Sequence, residues 1–229
     1  MLKILKGIKN FFTSEKVEVN STLERLKEGN LHFTSYMLHA APVSNIEKVR
    51  EMAALGQDPH AVIVTCSDAR ISPERIFNAE MGDFFIIRTA GHVIGPYEMG
   101  SIEYAVTHSK VDVVIVMGHE NCGAVKSCIE DHEGTDLGYI HDILEEVQPS
   151  IDKARLETDN QYDLLERAEE LNVYHTVDKI KESNILKPYI NSGKLIVIGA
   201  KYGIATGKVT FFDNTIACPV NFNNDKGEN

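Results

Sequence analysis

Residues 61–65 (AVIVT), 111–117 (VDVVIVM) and 195–198 (LIVI) are short runs of apolar, largely β-branched residues that scarcely alternate with polar ones. A strand with one wet face alternates. Runs like these fit strands covered on both faces, the condition of a parallel sheet with helices on each side. Residues 84–87 and 209–212 are two further strand candidates. Helix signals lie between them. Ser21-x-x-Glu24 reads as a capping box ahead of Leu23, Leu26 and Leu31. Ser72-Pro73 reads as an N-cap with proline in the first turn. Residues 101–108 and 124–130 read as helices; 137–147 and 164–183 are longer, with apolar residues at three-and-four spacing. Pro149 and Pro188 read as punctuation, and 131–138 and 157–160 as polar loops. Alternating strands and helices predict an α/β fold: a mostly parallel central β-sheet flanked by helices, with an N-terminal helical arm. The expected division is an arm over 1–20, a single α/β domain over 21–215 and a tail over 216–229.

Open α/β sheets bind ligands at the carboxyl ends of their strands. Two polar clusters are expected there. Cys66-Ser67-Asp68-Ala69-Arg70 follows the first run, and Gly118-His119-Glu120-Asn121-Cys122-Gly123 follows the run that ends at Met117. Two thiols and an imidazole suit zinc, and three protein ligands leave a fourth position open, as in catalytic rather than structural zinc sites. His119 and Cys122 are less than one helical turn apart, so both can face one metal. Cys122 is expected at a helix start, where the dipole favours a thiolate. Asp68 and Arg70 form a charged pair beside the first cysteine. Cys128 and Cys218 lack such company and read as small hydrophobes.

Other classes are set aside. Lys and Arg number 23 against 34 Asp and Glu, a net charge of −11, and no basic stripe with interleaved aromatics is present, so nucleic acid is not an expected partner. Four cysteines without a secretory signal fit a cytoplasmic protein better than a disulfide scaffold. No membrane partner is expected, since no apolar stretch approaches the roughly 18 residues of a span. The basic, apolar start at Met1-Leu2-Lys3-Ile4 reads as an arm packing on its own fold or on a partner, rather than as a membrane-surface helix. Residues 203–209 (GIATGKV) lack Walker spacing and read as a turn between two strands.

The chain resembles the β-class carbonic anhydrases of bacteria from about Leu26 to Asp213. The matching motifs include Gly29-Asn30-x-x-Phe33, Gly56-Gln57-x-Pro59, the Cys66–Arg70 run, Gly82-Asp83-x-Phe85, Arg88-Thr89-Ala90-Gly91-His92, Gly100-Ser101-Ile102-Glu103-Tyr104-Ala105-Val106 and Gly118-His119-x-x-Cys122-Gly123-Ala124-Val125. The resemblance implies a lyase that hydrates carbon dioxide reversibly to bicarbonate and a proton by zinc-hydroxide attack. It implies one Zn2+ per chain on Cys66, His119 and Cys122, with Asp68 and Arg70 as the catalytic dyad. In some members the matching Asp becomes a fourth zinc ligand in a closed state. Gln57 matches a residue that hydrogen-bonds substrate, Phe85 and Tyr104 match aromatics that line the pocket, and the Gly123 amide matches a donor to bound substrate. A homodimer or homotetramer with the site at the subunit interface is implied, giving the arm a partner to wrap.

One departure concerns regulation. Ile63 stands where some members have a Trp of an inhibitory bicarbonate pocket, and Arg88 alone cannot rebuild that pocket. Thr65 stands where Gly or Ala is common. His60, His92 and His108 are candidate proton carriers by titration range. Three other readings stay open: a related hydrolase of carbonyl sulfide or carbon disulfide; a catalytically silent zinc protein closed by Asp68; and a dinucleotide-binding or redox protein using Cys66 and Cys122, which lacks both a Gly-rich fingerprint and a Cys-x-x-Cys motif.

Overall fold

The structure, a computed structural model, describes residues 19–35, 46–109, 111–130 and 136–212. The residues before 19, including most of the expected arm, and the tail that carries Cys218 lie outside these.

Five strands form one sheet: β1 (Ala61–Cys66), β2 (Phe84–Thr89), β3 (Val113–His119), β4 (Ile196–Tyr202) and β5 (Val209–Phe212), in the order β2-β1-β3-β4-β5. The first four are parallel and β5 runs antiparallel to β4. β1 is buried along its whole length, and its residues divide by parity. Val62 and Val64 face one core cluster, while Ala61 and Ile63 face another. That double coverage is why the run does not alternate. The first cluster is closed by α4 (Pro96–His108), α7 (Gln161–Lys181) and α8 (Lys187–Asn191). Opposite, the second is closed by α1 (Val19–Ser35), α3 (Pro73–Ile76) and Phe77. A third cluster, between α5 (Gly123–Ile129), α6 (Ile140–Glu157) and α7, includes Cys66 and Cys122. A further helix, α2 (Ile46–Leu55), precedes β1 and had no sequence expectation.

Several expectations shift. β1 and β3 run on until Cys66 and His119 are their last residues, not residues beyond the strand. At its other end β3 begins at Val113; Asp112 still accepts the Ile196 amide at 2.9 Å, and its side chain accepts a hydrogen bond from Thr22 Oγ1 at 3.3 Å. Ser21 lies inside α1 rather than capping it, and its buried hydroxyl has no partner. Ser72 occupies the cap of α3 without a side-chain bond. The 101–108 helix starts at Pro96, where proline fits the first turn and Glu98 accepts the Gly95 amide at 2.9 Å. Pro149 stops nothing: α6 runs through it to Glu157, because burial of Val147, Ile151 and Ala154 outweighs the one lost helical bond. Pro188 lies in the first turn of α8, where proline is tolerated. The 203–209 turn does link two strands, with Gly207 at φ 71° and paired bonds between Gly203 and residues 207 and 208.

The strand order reverses direction around β1. β2 lies on one side, β3 and β4 on the other. The carboxyl ends of β1 and β3 therefore flank the switch-point crevice, where ligands bind in open α/β sheets.

Candidate active site

Cys66 ends β1 and His119 ends β3, and the parallel register that pairs Thr65 with Met117 brings the two ends level. Thr65 is fully buried and spends its hydroxyl on the Met117 carbonyl at 2.8 Å, so it reinforces this pairing and is not spare chemistry beside the cysteine. After His119 the chain turns sharply. Asn121 sits at φ 53°, a left-handed conformation that asparagine tolerates better than most residues. Cys122 then caps α5.

All three side chains are buried, and their donor atoms lie within 4.8 Å of one another. His119 Nδ1 bonds the Glu120 carbonyl at 2.9 Å, which points Nε2 toward the sulfurs. Nε2 is buried and has no hydrogen-bond partner among the described residues. An orphaned imidazole nitrogen facing two thiols fits a borderline-soft ion such as zinc, which would give that nitrogen its missing partner. The sulfurs are primed for it. Cys66 is held far below the ordinary thiol range, chiefly because the Cys122 thiol donates to its sulfur. His119 and the Gly91 amide help, with Gly91 N donating at 3.3 Å. Cys122 is pushed up, since it keeps the shared proton.

The rim is different. Asp68 accepts from Arg70 Nε at 2.9 Å and Nη2 at 2.7 Å, and its Oδ1 also accepts the Arg70 amide at 2.9 Å. This fork holds its carboxyl well below the usual carboxylate range, so it is ionised at any working pH. Asp68 Oδ2 stands 3.9 Å from His119 Nε2. Arg70 Nη2 reaches the Asn121 carbonyl at 3.2 Å, tying the two clusters together. Arg88, on β2, donates to the Cys66 carbonyl from Nε and Nη2 and to the Asp68 carbonyl at 2.8 Å. It serves as a strut for the loop, the ordinary use of an Arg. Ile63 is fully buried in mid-sheet.

The structure brings together Cys66, Asp68, Arg70, His119, Cys122 and Gly123, but not Gln57, Phe85 or Tyr104. Gln57 precedes the start of β1, whereas Cys66 ends it, about 17 Å along a six-residue strand. Phe85 is near the start of β2 and packs at 6.4 Å, centroid to centroid, from the half-exposed Tyr104 ring. Among the histidines, His60 is at the same far end, bonded through its amide to Asp83. His92 is buried, and burial lowers it to about 4, so it does not carry protons near neutral pH. His108 is exposed and stacks on Tyr104 at 4.6 Å.

Sequence reasoning missed the polar groups behind the cysteines. Glu169 Oε1 accepts the Cys122 amide at 3.0 Å, and Lys201 pairs with Glu169 Oε2 at 3.0 Å. Asn172 Nδ2 donates to the Gly91 carbonyl at 2.9 Å. The only available signal was two polar residues three apart on the apolar side of a long helix. Cys128, read as a small hydrophobe, is buried as expected, though its thiol also meets the Leu144 carbonyl at 3.3 Å.

Residues 61–209 match the family model described as carbonic anhydrase. Carbonic anhydrase 2 of Mycobacterium tuberculosis is 37% identical over 194 residues, covering 82% of this chain and 90% of that protein. The solved β-carbonic anhydrase CcaA is 26% identical with a TM-score of 0.67, covering 89% of this chain and 92% of that one. A tetrameric β-carbonic anhydrase of Sordaria macrospora shares the fold at 23% identity and a TM-score of 0.67, covering 84% of this chain and 97% of that one.

Proposed function

The chain belongs to the β-class carbonic anhydrase family and hydrates carbon dioxide reversibly to bicarbonate, and from that premise we propose how its residues divide the work. Cys66, His119 and Cys122 hold one zinc per chain. The observation that carries this is the buried, unpartnered His119 Nε2 facing two sulfurs. Bound there, zinc supplies the Lewis acidity that makes a hydroxide nucleophile available, and two thiolates moderate that acidity so that activity rises into the alkaline range.

Asp68 is an acceptor only, because Arg70 keeps it ionised. It accepts a hydrogen bond from the attacking oxygen and so aims a lone pair at the carbon. Arg70 turns both carboxylate oxygens toward itself, which keeps Asp68 from closing the site as a fourth ligand. The Gly123 amide opens α5, where the first N–H groups of a helix have no helical partner, and is the donor to bicarbonate.

Gln57, Phe85 and Tyr104 act in the site of a second copy. Gln57 and Tyr104 are exposed and lie away from their own chain's cysteines. A homodimer, or a tetramer like that described for the Sordaria protein, puts the site at the subunit interface. Three free cysteines among the described residues suit a reducing cytoplasm. Coexpressing Gln57→Ala with Cys66→Ser tests the interface: mixed dimers regain one working site in two only if Gln57 serves its partner. Recovery no better than the sum of the single variants sinks the shared site. Because Ile63 is buried and Arg88 is committed to carbonyls, bicarbonate near pH 8 is expected to inhibit hyperbolically. Sigmoidal inhibition, with Asp68 on zinc in a crystal at that pH, would show that the closed state forms without the Trp.

A further inference from the structure

Helix α7 turns two buried polar side chains toward the segments that carry the two sulfurs. Glu169 is 4% exposed and Asn172 is 1% exposed, and they are one turn apart. Neither serves its own helix. Glu169 reaches 47 residues back to the Cys122 amide, and Asn172 reaches 81 back to the Gly91 carbonyl. Gly91 in turn directs its amide at Cys66 Sγ. A carboxylate is rarely left in an interior without a pairing cation and a full set of donors. Lys201, the residue of β4 just before its last, Tyr202, supplies the cation, and the Cys122 amide is the donor.

The sheet alone cannot set the spacing of the sulfurs. Its ladder aligns β1 with β3 only as far as the strand ends, and Cys122 lies beyond that end. A zinc site tolerates about 0.2 Å in its bond lengths, so the two turns need a common anchor. α7 is such an anchor, and it sits close to the sheet. A Cβ on Gly118 would fall 2.6 Å from Val173 Cγ2, so the missing side chain lets α7 approach at this level.

We propose that Glu169 and Asn172 are positioning residues for the metal: Glu169 fixes the Cys122 turn through its amide, Asn172 fixes Cys66 through Gly91, and one helix thereby sets the separation of both sulfurs. The proposal rests on the zinc reading above. Losing contacts of this kind typically costs 10–100-fold in metal affinity.

The test uses the zinc-loaded full chain and its Glu169→Ala, Glu169→Gln and Asn172→Ala variants, with Val177→Ala as a control for packing of the same helix. Zinc release to a chelating dye is timed, thermal midpoints are recorded, and cobalt(II) replaces zinc to give thiolate-to-metal charge-transfer bands. Glu169→Ala and Asn172→Ala are expected to release zinc about 10–100-fold faster while still folded, with shifted cobalt bands. Glu169→Gln keeps an acceptor for the Cys122 amide and stays nearer the parent. Val177→Ala lowers the midpoint and releases zinc at the parental rate. Where Glu169→Ala does not fold, Asn172→Ala carries the test through the Cys66 arm. Parental release rates in both anchor variants overturn the proposal, as does equally fast release from Val177→Ala. A parent that holds no zinc refutes the zinc reading itself, and the proposal with it.

Discussion

The floor and the rim of the active site are built by opposite rules. The floor, Cys66, His119 and Cys122 with Glu169 and Asn172 behind them, is buried, and its hydrogen bonds come from four separate stretches of chain. The rim, Asp68 and Arg70, lies two residues apart on one exposed loop. A buried polar group without its partner costs far more than an exposed one, which water can satisfy. The floor therefore has one arrangement and the rim can have two. That difference matches the chemistry: a metal must stay, whereas a carboxylate must form and break a hydrogen bond with the reacting oxygen at each turnover.

The largest effect is expected from the floor. Cys66→Ser or Cys122→Ser replaces a sulfur ligand with a poor one, and metal analysis of the purified variants should show most zinc gone. Near-stoichiometric zinc in both would erase the distinction between floor and rim. Next comes a pH test of burial. His92 titrates near 6.5 unfolded but about 4 folded, because burial disfavours its charge. Its contribution is complete above about pH 6.5 and is lost as pH falls toward 4, since over that window the unfolded chain binds the proton and the folded one does not. The loss is about 3 kcal/mol at most. His92→Asn, tolerated at φ 48°, should flatten the stability-against-pH curve over that window in denaturant titrations. An unchanged slope means that His92 is not held neutral.

The rim should respond in rate and not in stability. Asp68→Asn keeps shape but offers a donor where an acceptor is needed. Stopped-flow hydration is expected to fall roughly ten-fold or more, with zinc retained and the melting midpoint nearly unmoved. The exposed pair is worth under about 1 kcal/mol to folding, so a large loss of stability would move Asp68 into the floor. Smallest of all is a surface ion pair far from either region. Lys48 bonds Glu80 at 2.9 Å and Asp83 at 3.0 Å. Lys48→Met should change stability by less than about 1 kcal/mol, weakening further in salt, and leave zinc release untouched.

The sequence by itself determined the doubly covered strands, the α/β class and the two clusters at strand ends, because these follow from the local pattern of apolar residues and from ligand chemistry within five-residue windows. It also located Asp68 beside Arg70, since residues two apart on a loop cannot avoid each other. Tertiary structure decided the rest. That Pro149 lies within a helix depended on the core beneath it. That Glu169 and Asn172 stand behind the sulfurs depended on where α7 docks, and no local pattern records the partner of a buried side chain 47 or 81 residues away. Gln57 and Tyr104 show the same limit in reverse: their motifs were plain in the sequence, but only the sheet showed Gln57 before the start of β1, with Cys66 at its end, and Tyr104 packed on Phe85, which pairs with Val62 near that start.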